Sequence, residues 1–525
     1  MNKRRIILAS AATVMGVSQA VSQQQKMNVL FILADDLKPV TGCYGSPIAL
    51  TPNIDAIASR GTLFMLNYCQ QALSGPSRAS MLTGQRPDHT RIWDMKHFIR
   101  EQRPGIVTMP EYFKNNGYRT AASGKVFDPR TVDEGHDGRS WSVPYINDIL
   151  YLNSKSPKPT SGYQGAEAIA ALERAKKEAA AKGLKGKDAA LYVKGHAGPA
   201  TECADVSDDA YLDGALARAG VETIKKLAAG DKPFFFAIGF HKPHTPFVAP
   251  KKYWDMYDRQ QMKMAEFQGK PQNAVEIAFP PSQEIRTYCD IPPVYTFNDS
   301  RRNNGTITPE KQLELLHGYY ACVSYIDAMI GQVIGALKEA KADKNTIIVV
   351  IGDHGWHLGD HGLWGKHSNF EQATRSPLII SDPRIGASVT GQVSEFVDIF
   401  PTLCSMTGLP VPGYAAGVDL TRTMKDPDRP AREYAVSQYP RNSNGKGVMG
   451  YSLRDGRFRY TVWIGDNFDS TKPYNPSQVI ARELYDYATD PLETVNCAGD
   501  KKYASTVASM DKWLQEFLAK QVGQL

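Results

Sequence analysis

Three apolar runs along the chain have the pattern of strands that are buried on both faces of a sheet. They span residues 27–34, 233–239 and 346–352. Uninterrupted apolar runs of this length are typical of parallel strands covered by helices on both sides. Polar residues follow the runs, namely Asp35, Asp36, His241, Asp353 and His354. Because ligands of open α/β sheets bind beyond the carboxyl ends of the strands, we expect these polar residues to face one crevice.

Helical patterns separate these runs, and a different pattern occupies the last hundred residues. Helices are predicted at 52–60 and 309–337, and an exposed helix or insert at 166–187. Residues 259–308 are irregular, and we expect them near the rim of the crevice. After a break at 421–432, the sequence predicts strands at 434–438, 450–453 and 458–464 and a helix at 503–518. The prediction is therefore an α/β domain with a mostly parallel central sheet, residues 27–425, and a small α+β C-terminal domain, residues 430–525.

The first twenty residues have the pattern of a secretory signal peptide. Lys3, Arg4 and Arg5 are basic, residues 6–17 are largely apolar, and residues 18–20 form a small-x-small cleavage signal. The apolar segment is too short to span a bilayer. We therefore expect a secreted or periplasmic protein that is not attached to a membrane once residues 1–20 are removed.

Composition and charge exclude several classes of protein. Of the 525 residues, 42% are hydrophobic and 22% are charged, close to the globular average, which excludes wholesale disorder and a polytopic membrane protein. The net charge of +6 falls to +3 without the three basic residues of the signal peptide, and it does not indicate nucleic-acid binding. Seven cysteines without a CxxC motif do not form a disulfide scaffold or a zinc ribbon.

The segment SGPSRASMLTG at 74–84 carries the most specific chemistry in the sequence. It resembles the signature of the formylglycine-dependent sulfatases, in which the first residue is oxidised to formylglycine by a maturase. This resemblance implies an alkaline-phosphatase/sulfatase-like α/β fold and a nucleophile at Ser74. It also implies that Arg78 holds the modified residue and the carboxylates of the metal site. The serine fits either a native serine-type member of the family or a cysteine replaced by serine.

Paired acids at a strand end are hard oxygen ligands that suit Ca²⁺ or Mg²⁺. Asp35, Asp36, Asp353 and His354 match the four protein ligands of the sulfatase metal site. The resemblance implies one divalent cation, usually Ca²⁺, beside residue 74, so that Ser74 completes the predicted metal site.

The resemblance also assigns the groups around the sulfate. Lys125 and Lys366 match the two sulfate-binding lysines, and His241 matches a histidine that contacts sulfate or protonates the leaving oxygen. Asp128 stands where the family has a histidine that orients the nucleophile. We treat Asp128 as a candidate base, with His136 as an alternative.

Further segments are similar to the iduronate-2-sulfatase branch, among them FHKPHTPF at 240–247 and DHGWHLGDHG at 353–362. The branch removes 2-O-sulfate from uronic acids or related sugars. Candidate substrates are sulfated glycosaminoglycans and algal polysaccharides such as carrageenan or ulvan. Candidate substrate contacts are His244, Trp356 and His361. Trp356 fits either stacking on a sugar ring or packing in the core, and His361 either lines the pocket or stabilises its loop.

Two other functions fit the same sequence. One is a phosphate or phosphonate ester hydrolase on the same scaffold. The other is a catalytically silent protein that binds sulfated glycans, which would follow if Ser74 stays unmodified.

Overall fold

The computed structural model describes residues 26–145, 162–280, 283–292, 306–443, 445–465 and 468–524. The predicted signal peptide and part of the 259–308 stretch lie outside these residues. The strands are β1 (Asn28–Asp35), β2 (Thr62–Tyr68), β3 (Arg119–Gly124), β4 (Thr201–Ala204), β5 (Phe234–Pro243), β6 (Phe247–Pro250), β7 (Thr346–Gly352), β8 (His357–Leu358), β9 (Trp364–Gly365), β10 (Leu378–Ser381), β11 (Ser388–Glu395), β12 (Ala435–Ser443), β13 (Lys446–Arg454), β14 (Phe458–Ile464) and β15 (Val479–Asp486).

Helices cover both faces of the large sheet. The longer ones are α1 (Pro52–Ala58), α2 (Ser74–Thr83), α3 (Met109–Asn115), α4 (Ala166–Ala181), α5 (Gly186–Ala197), α6 (Leu212–Ala228), α7 (Pro309–Glu339), α8 (Ile399–Thr407) and α9 (Ala504–Gln524). Shorter helical segments are Pro87–Thr90, Ile99–Gln102, Lys251–Trp254, Glu371–Thr374 and Thr421–Lys425. The predicted exposed helix or insert at 166–187 corresponds to α4, which packs on α5.

The large sheet has seven strands in the order β11-β2-β10-β7-β1-β5-β3. Only β10 runs antiparallel to its neighbours among these pairs, so the prediction of a mostly parallel central sheet is confirmed. Strand β1 is buried along its whole length, as its uninterrupted apolar run predicts. Apolar clusters cover its two faces, one including Leu30 and Ile32, the other Val29 and Phe31.

Helix α7 is long and apolar enough to cross a membrane by composition alone. It begins at Pro309 after the N-cap Thr308, whose side chain accepts the backbone N–H of Lys311. Its apolar residues pack against α6, β5 and β6. The helix is therefore a core element beside the large sheet.

A second, four-stranded antiparallel sheet has the order β12-β13-β14-β15. The sequence predicted three of these strands and missed β15. Helix α9 covers one face through Met510 and Leu514, which join the cluster around Tyr451 and Val462. The bounds proposed for the two domains stay a prediction.

Candidate active site

The register of the large sheet brings the predicted polar residues together. Asp35 at the end of β1 is level with Pro243 of β5, and Ala34 is level with Gly352 of β7. Residues that follow these strands therefore meet at one edge, as expected for carboxyl ends of parallel strands. Strand β3 adds Lys125, which comes directly after Gly124. A Cβ atom on Gly239 would lie 2.0 Å from the Lys125 carbonyl oxygen, so only glycine lets the β3 and β5 chains approach this closely.

Ser74 is the first residue of α2 and is buried at this edge. Its Oγ lies 3.2 Å from Asp35 Oδ1 and 3.2 Å from His354 Nε2. The amino end of a helix favours negative charge because its backbone N–H groups and dipole point outward. The position thus suits a group that develops or receives negative charge.

Arg78 lies one helical turn after Ser74 and is completely buried. Its Nε donates to Asp353 at 3.0 Å, and one terminal nitrogen donates to Asp35 at 3.1 Å. The other terminal nitrogen donates to the carbonyl oxygens of Lys125 and Val126. The guanidinium therefore ties together the ends of β1, β3 and β7 and pairs with two carboxylates of the predicted metal site.

Asp36, Asp353 and His354 form a group with the donor set of a cation site. One ligand atom from each lies within 4.8 Å of the others, and all three residues are buried. Asp36 Oδ2 is buried without a hydrogen-bond partner, although an unpaired buried carboxylate oxygen is costly. Burial raises the pKa of Asp36. The two carboxylates are hard oxygen ligands, one of their oxygens has no hydrogen-bond partner among the described residues, and an imidazole lies beside them. This set of donor atoms fits a bound divalent cation.

Asp35 is in a different electrostatic state from Asp36. Burial opposes its ionisation, but the positive charges of Lys125, His244 and Arg78 outweigh burial and hold the pKa of Asp35 well below its usual value. Its oxygens accept hydrogen bonds from Ser74, Arg78 and Lys125. Asp35 is therefore a fixed anion that connects the nucleophile position to two cations.

Both predicted sulfate lysines are buried beside the carboxylates. Lys125 Nζ lies 2.6 Å from Asp35 Oδ2, and Lys366 Nζ lies 2.7 Å from Asp36 Oδ1. Burial opposes the charge of Lys366, but Asp36 and Glu284 raise its pKa. The Lys366 ammonium therefore stays charged, and each lysine is paired with one of the two acids at the end of β1.

His241 lies in β5, two residues before its end, and His244 directly follows the strand. The backbone N–H groups of His241 and Lys242 donate to the buried carboxylate of Asp213, which fixes the course of this loop. His244 Nε2 lies 3.2 Å from Glu284 Oε1 and 3.8 Å from Asp36 Oδ2. Burial disfavours its protonation, but Asp36 and Glu284 outweigh burial and raise the pKa of His244.

An open cavity of about 430 Å³ adjoins these groups. Its wall includes Asp35, Lys125, Arg130, His136, His241, His244 and Glu284. The cavity has the size of a small-molecule site and contains convergent polar groups. Of these residues, Arg130 and Glu284 were not predicted individually. Arg130 lies two residues after the candidate base Asp128. Glu284 lies in the irregular 259–308 stretch, where no periodicity singles out one acid, although that stretch was expected near the rim.

Two predicted substrate contacts are wrong. Trp356 has no exposed surface, and its ring packs against Phe247 beneath the Lys366 ammonium, so it is a core side chain that cannot stack on a sugar. His361 is buried against Phe370, and its Nε2 lies 3.1 Å from the Leu492 carbonyl oxygen. His361 therefore stabilises its loop, the second of the two roles predicted for it.

Asp128 is buried and is already paired. Its carboxylate accepts two hydrogen bonds from the Arg130 guanidinium and lies 3.6 Å from Lys125 Nζ. Burial opposes ionisation, but Arg130 and Lys125 lower the pKa of Asp128 far below its usual value. A carboxylate this acidic is a poor proton acceptor, so the geometry disfavours Asp128 as a base. His136, the alternative, stacks on Tyr145 in the cavity wall.

Comparisons with known proteins agree with this geometry. A family model described as Sulfatase matches residues 27–409, and one described as N-sulphoglucosamine sulphohydrolase, C-terminal, matches residues 359–520. Iduronate 2-sulfatase of Mus musculus is 33% identical over 568 aligned residues, covering 96% of each chain.

Two solved structures have the same fold at low identity. A 2-O GAG sulfatase has a TM-score of 0.64 at 20% identity, covering 95% of this chain and 93% of its own. The phosphonate monoester hydrolase of Silicibacter pomeroyi has a TM-score of 0.68 at 21% identity, covering 94% and 96%. At these identities the likeness establishes the fold alone.

Proposed function

The chain belongs to the sulfatase family, in its iduronate-2-sulfatase-like branch, and we propose that this sulfuric ester hydrolase removes 2-O-sulfate from uronic acid or related sugar units. The observation that carries the proposal is the position of Ser74. It lies at the buried amino end of α2, within 3.2 Å of Asp35 and His354. Glycosaminoglycans and algal polysaccharides contain such sugars.

Ser74, or a native cysteine at this position, would be converted to formylglycine by a maturase. The hydrated aldehyde would supply two hydroxyls on one carbon, which permits sulfate to be taken from the ester and then released. Arg78 would orient residue 74 indirectly, because it fixes Asp35 and Asp353. Asp35 would in turn hold the nucleophile position through its 3.2 Å contact with Ser74 Oγ.

Asp35, Asp36, Asp353 and His354 would hold one divalent cation, most simply Ca²⁺, beside residue 74. Such an ion would supply Lewis-acid stabilisation of the sulfate oxygens. Lys125 and Lys366 would bind the same oxygens as fixed, desolvated charges. His241 would donate a proton to the leaving sugar oxygen, and His244 would contact the sugar; both line the cavity.

Residues 1–20 would direct export, so the substrate would be met in the periplasm or outside the cell. The modification would be completed by a maturase in the producing cell, and recombinant protein must be produced together with such an enzyme before it is assayed.

A substrate panel tests the proposal. Matured protein is given a 2-O-sulfated uronate disaccharide, a 6-O-sulfated glucosamine, an aryl sulfate and an aryl phosphate, and released sulfate or phosphate is measured. We expect the highest kcat/KM on the 2-O-sulfated uronate. A preference for the aryl phosphate would favour a phosphate ester hydrolase. Binding of the disaccharide without turnover, by protein in which Ser74 stays unmodified despite the maturase, would favour a glycan-binding protein.

A further inference from the structure

Among the described residues that line the cavity, only Arg130 has a side chain that is both permanently charged and largely exposed. Its side chain is 58% exposed, while the Asp128 carboxylate that holds it is completely buried. The backbone N–H of Arg130 also donates to Asp128, at 3.0 Å. The guanidinium is therefore held in place from one edge and open on the other.

The Arg130 guanidinium has N–H groups that its hydrogen bonds to Asp128 do not use, and these can donate to a ligand. Its Nε and one terminal nitrogen each donate to Asp128 at 2.9 Å. A guanidinium has five N–H groups, so three have no partner among the described residues. They lie at the end of the side chain, where two parallel N–H groups can bind both oxygens of a carboxylate.

Asp128 also connects Arg130 to the predicted sulfate site. The same carboxylate lies 3.6 Å from Lys125 Nζ. Two cations thus share one carboxylate: Lys125, beside Asp35 and the nucleophile position, and Arg130, at the cavity surface. A sugar ring that places its sulfate at Lys125 would place a second acidic substituent within reach of Arg130.

We propose that Arg130 is a specificity-determining residue that binds the carboxylate of the sulfated sugar, and that Asp128 is its positioning residue. This inference rests on the proposed function, because it assumes that sulfate occupies the site between Lys125 and Lys366. It also gives a reason for aspartate where the resemblance implies a histidine.

The chain contains a matched control for this inference. Asp382-Pro383-Arg384 repeats the sequence Asp128-Pro129-Arg130. Arg384 makes the same three contacts with its aspartate, from the backbone N–H, from Nε and from a terminal nitrogen. That terminal nitrogen also donates to the Met406 carbonyl oxygen, at 2.7 Å. The local pairing is therefore a property of the Asp-Pro-Arg sequence. Arg130 differs from Arg384 in its position at the cavity and in having no further acceptor among the described residues.

The test compares two substrates, a 2-O-sulfated uronate disaccharide and the same disaccharide with its carboxylate reduced to an alcohol. For Arg130→Gln we expect KM for the uronate to rise about 10- to 100-fold, the loss expected for one charge-assisted bidentate contact. Little change is expected in KM for the reduced substrate. Arg130→Lys keeps the charge without the paired donors and should lie between wild type and Arg130→Gln. Arg384→Gln should leave KM for both substrates at the wild-type value.

Asp128→Asn tests the positioning role. We expect it to lower the ratio of kcat/KM for the uronate to that for the reduced substrate, and to lower this ratio no further when Arg130→Gln is already present. The ratio cancels any effect on Lys125, which acts on both substrates equally.

Three results would overturn the inference. One is an equal effect of Arg130→Gln on both substrates, or no effect on either. Another is a selective effect that follows a second sulfate on the substrate and not its carboxylate. A wild-type protein that is matured and turns over neither substrate would overturn the proposed function, and this inference with it.

Discussion

Two buried groups of charged side chains in this molecule look alike in composition and differ in what they leave unpaired. The site cluster consists of Asp35, Asp36, Arg78, Lys125, Asp353, His354 and Lys366. The interface cluster consists of Glu371, Arg454, Arg459 and Glu493, and joins the large domain to the C-terminal sheet. Arg459 donates to Glu371 and lies 3.3 Å from Glu493, and the Glu371 backbone N–H donates to Glu493.

The interface cluster is closed by its own members and their neighbours. Tyr68 donates to Glu371 and Tyr487 donates to Glu493. In the site cluster, by contrast, Asp36 Oδ2 lacks a partner and a cavity adjoins Asp35 and Lys125. Buried charge alone therefore does not mark an active site. The marks are an unfilled ligand atom and a space for a substrate beside it.

The strongest way to break this comparison is to remove the unfilled carboxylate. Asp36→Asn keeps the shape of the side chain but removes the charge that a divalent cation requires. We expect kcat to fall at least about a thousandfold, because cation binding and sulfate stabilisation are lost together. Activity and protein-bound metal are measured on the same preparation.

Asp382→Asn is the control for that change. Asp382 is equally buried but lies after β10, whose Ser381 pairs with Ile348 near the opposite end of β7. It should keep full activity and metal content. Wild-type activity and metal binding in Asp36→Asn would refute the assignment of the cation site.

Glu371→Gln should have the opposite profile. Burial opposes ionisation of Glu371, but Arg454 and Arg459 hold its pKa at about 2, so the carboxylate is charged in the folded protein. Removing that charge leaves two buried guanidinium groups under-compensated, which costs about 3–5 kcal/mol of unfolding free energy. Denaturant unfolding measures the loss. Activity per folded molecule at 25 °C should be unchanged, and a selective loss of activity would contradict the comparison.

The smallest effect concerns Glu483, next to the interface cluster. Burial raises the pKa of Glu483 to about 7, despite hydrogen bonds from Trp463 and Tyr485. Its pKa is thus higher in the folded than in the unfolded chain, so folding retains a proton and stability falls as pH rises from about 4.5 to 7. Glu483→Gln should remove up to about 3 kcal/mol of this fall. Denaturant unfolding at several pH values gives the unfolding free energy of both proteins as a function of pH. If this free energy falls equally steeply with pH in wild type and in Glu483→Gln, the assignment is contradicted.

Part of the site cluster could be placed from the apolar pattern, because Asp35, Asp36, Asp353 and His354 follow two strands whose pattern is unmistakable. Parallel strands bring their carboxyl ends together, so these residues could be expected at one edge without coordinates.

Lys125 and Lys366 were assigned only by the resemblance, since β3 has no apolar run that predicts it. Ser74 and Arg78 were assigned by the resemblance of residues 74–84 to the sulfatase signature. The signature specifies residue types, so it could not predict that both side chains are buried.

Other features depend on packing that no local pattern encodes. Trp356 follows the metal-site motif directly, yet its ring turns into the core against Phe247. Glu284 reaches Lys366 and His244 from a stretch without periodicity. Strand β15 was missed because it is only half-buried at its start, where polar and apolar residues do not alternate clearly.

The most direct test of the account is the mass of the tryptic peptide Gly61–Arg78, which contains Ser74. It is measured on active protein from the native host or from a host that supplies a serine-type maturase. Modified peptide should be lighter than the encoded sequence by two hydrogen atoms, and its fraction should rise in proportion to sulfatase activity. Full sulfatase activity in protein whose peptide has the unmodified mass would contradict the formylglycine mechanism.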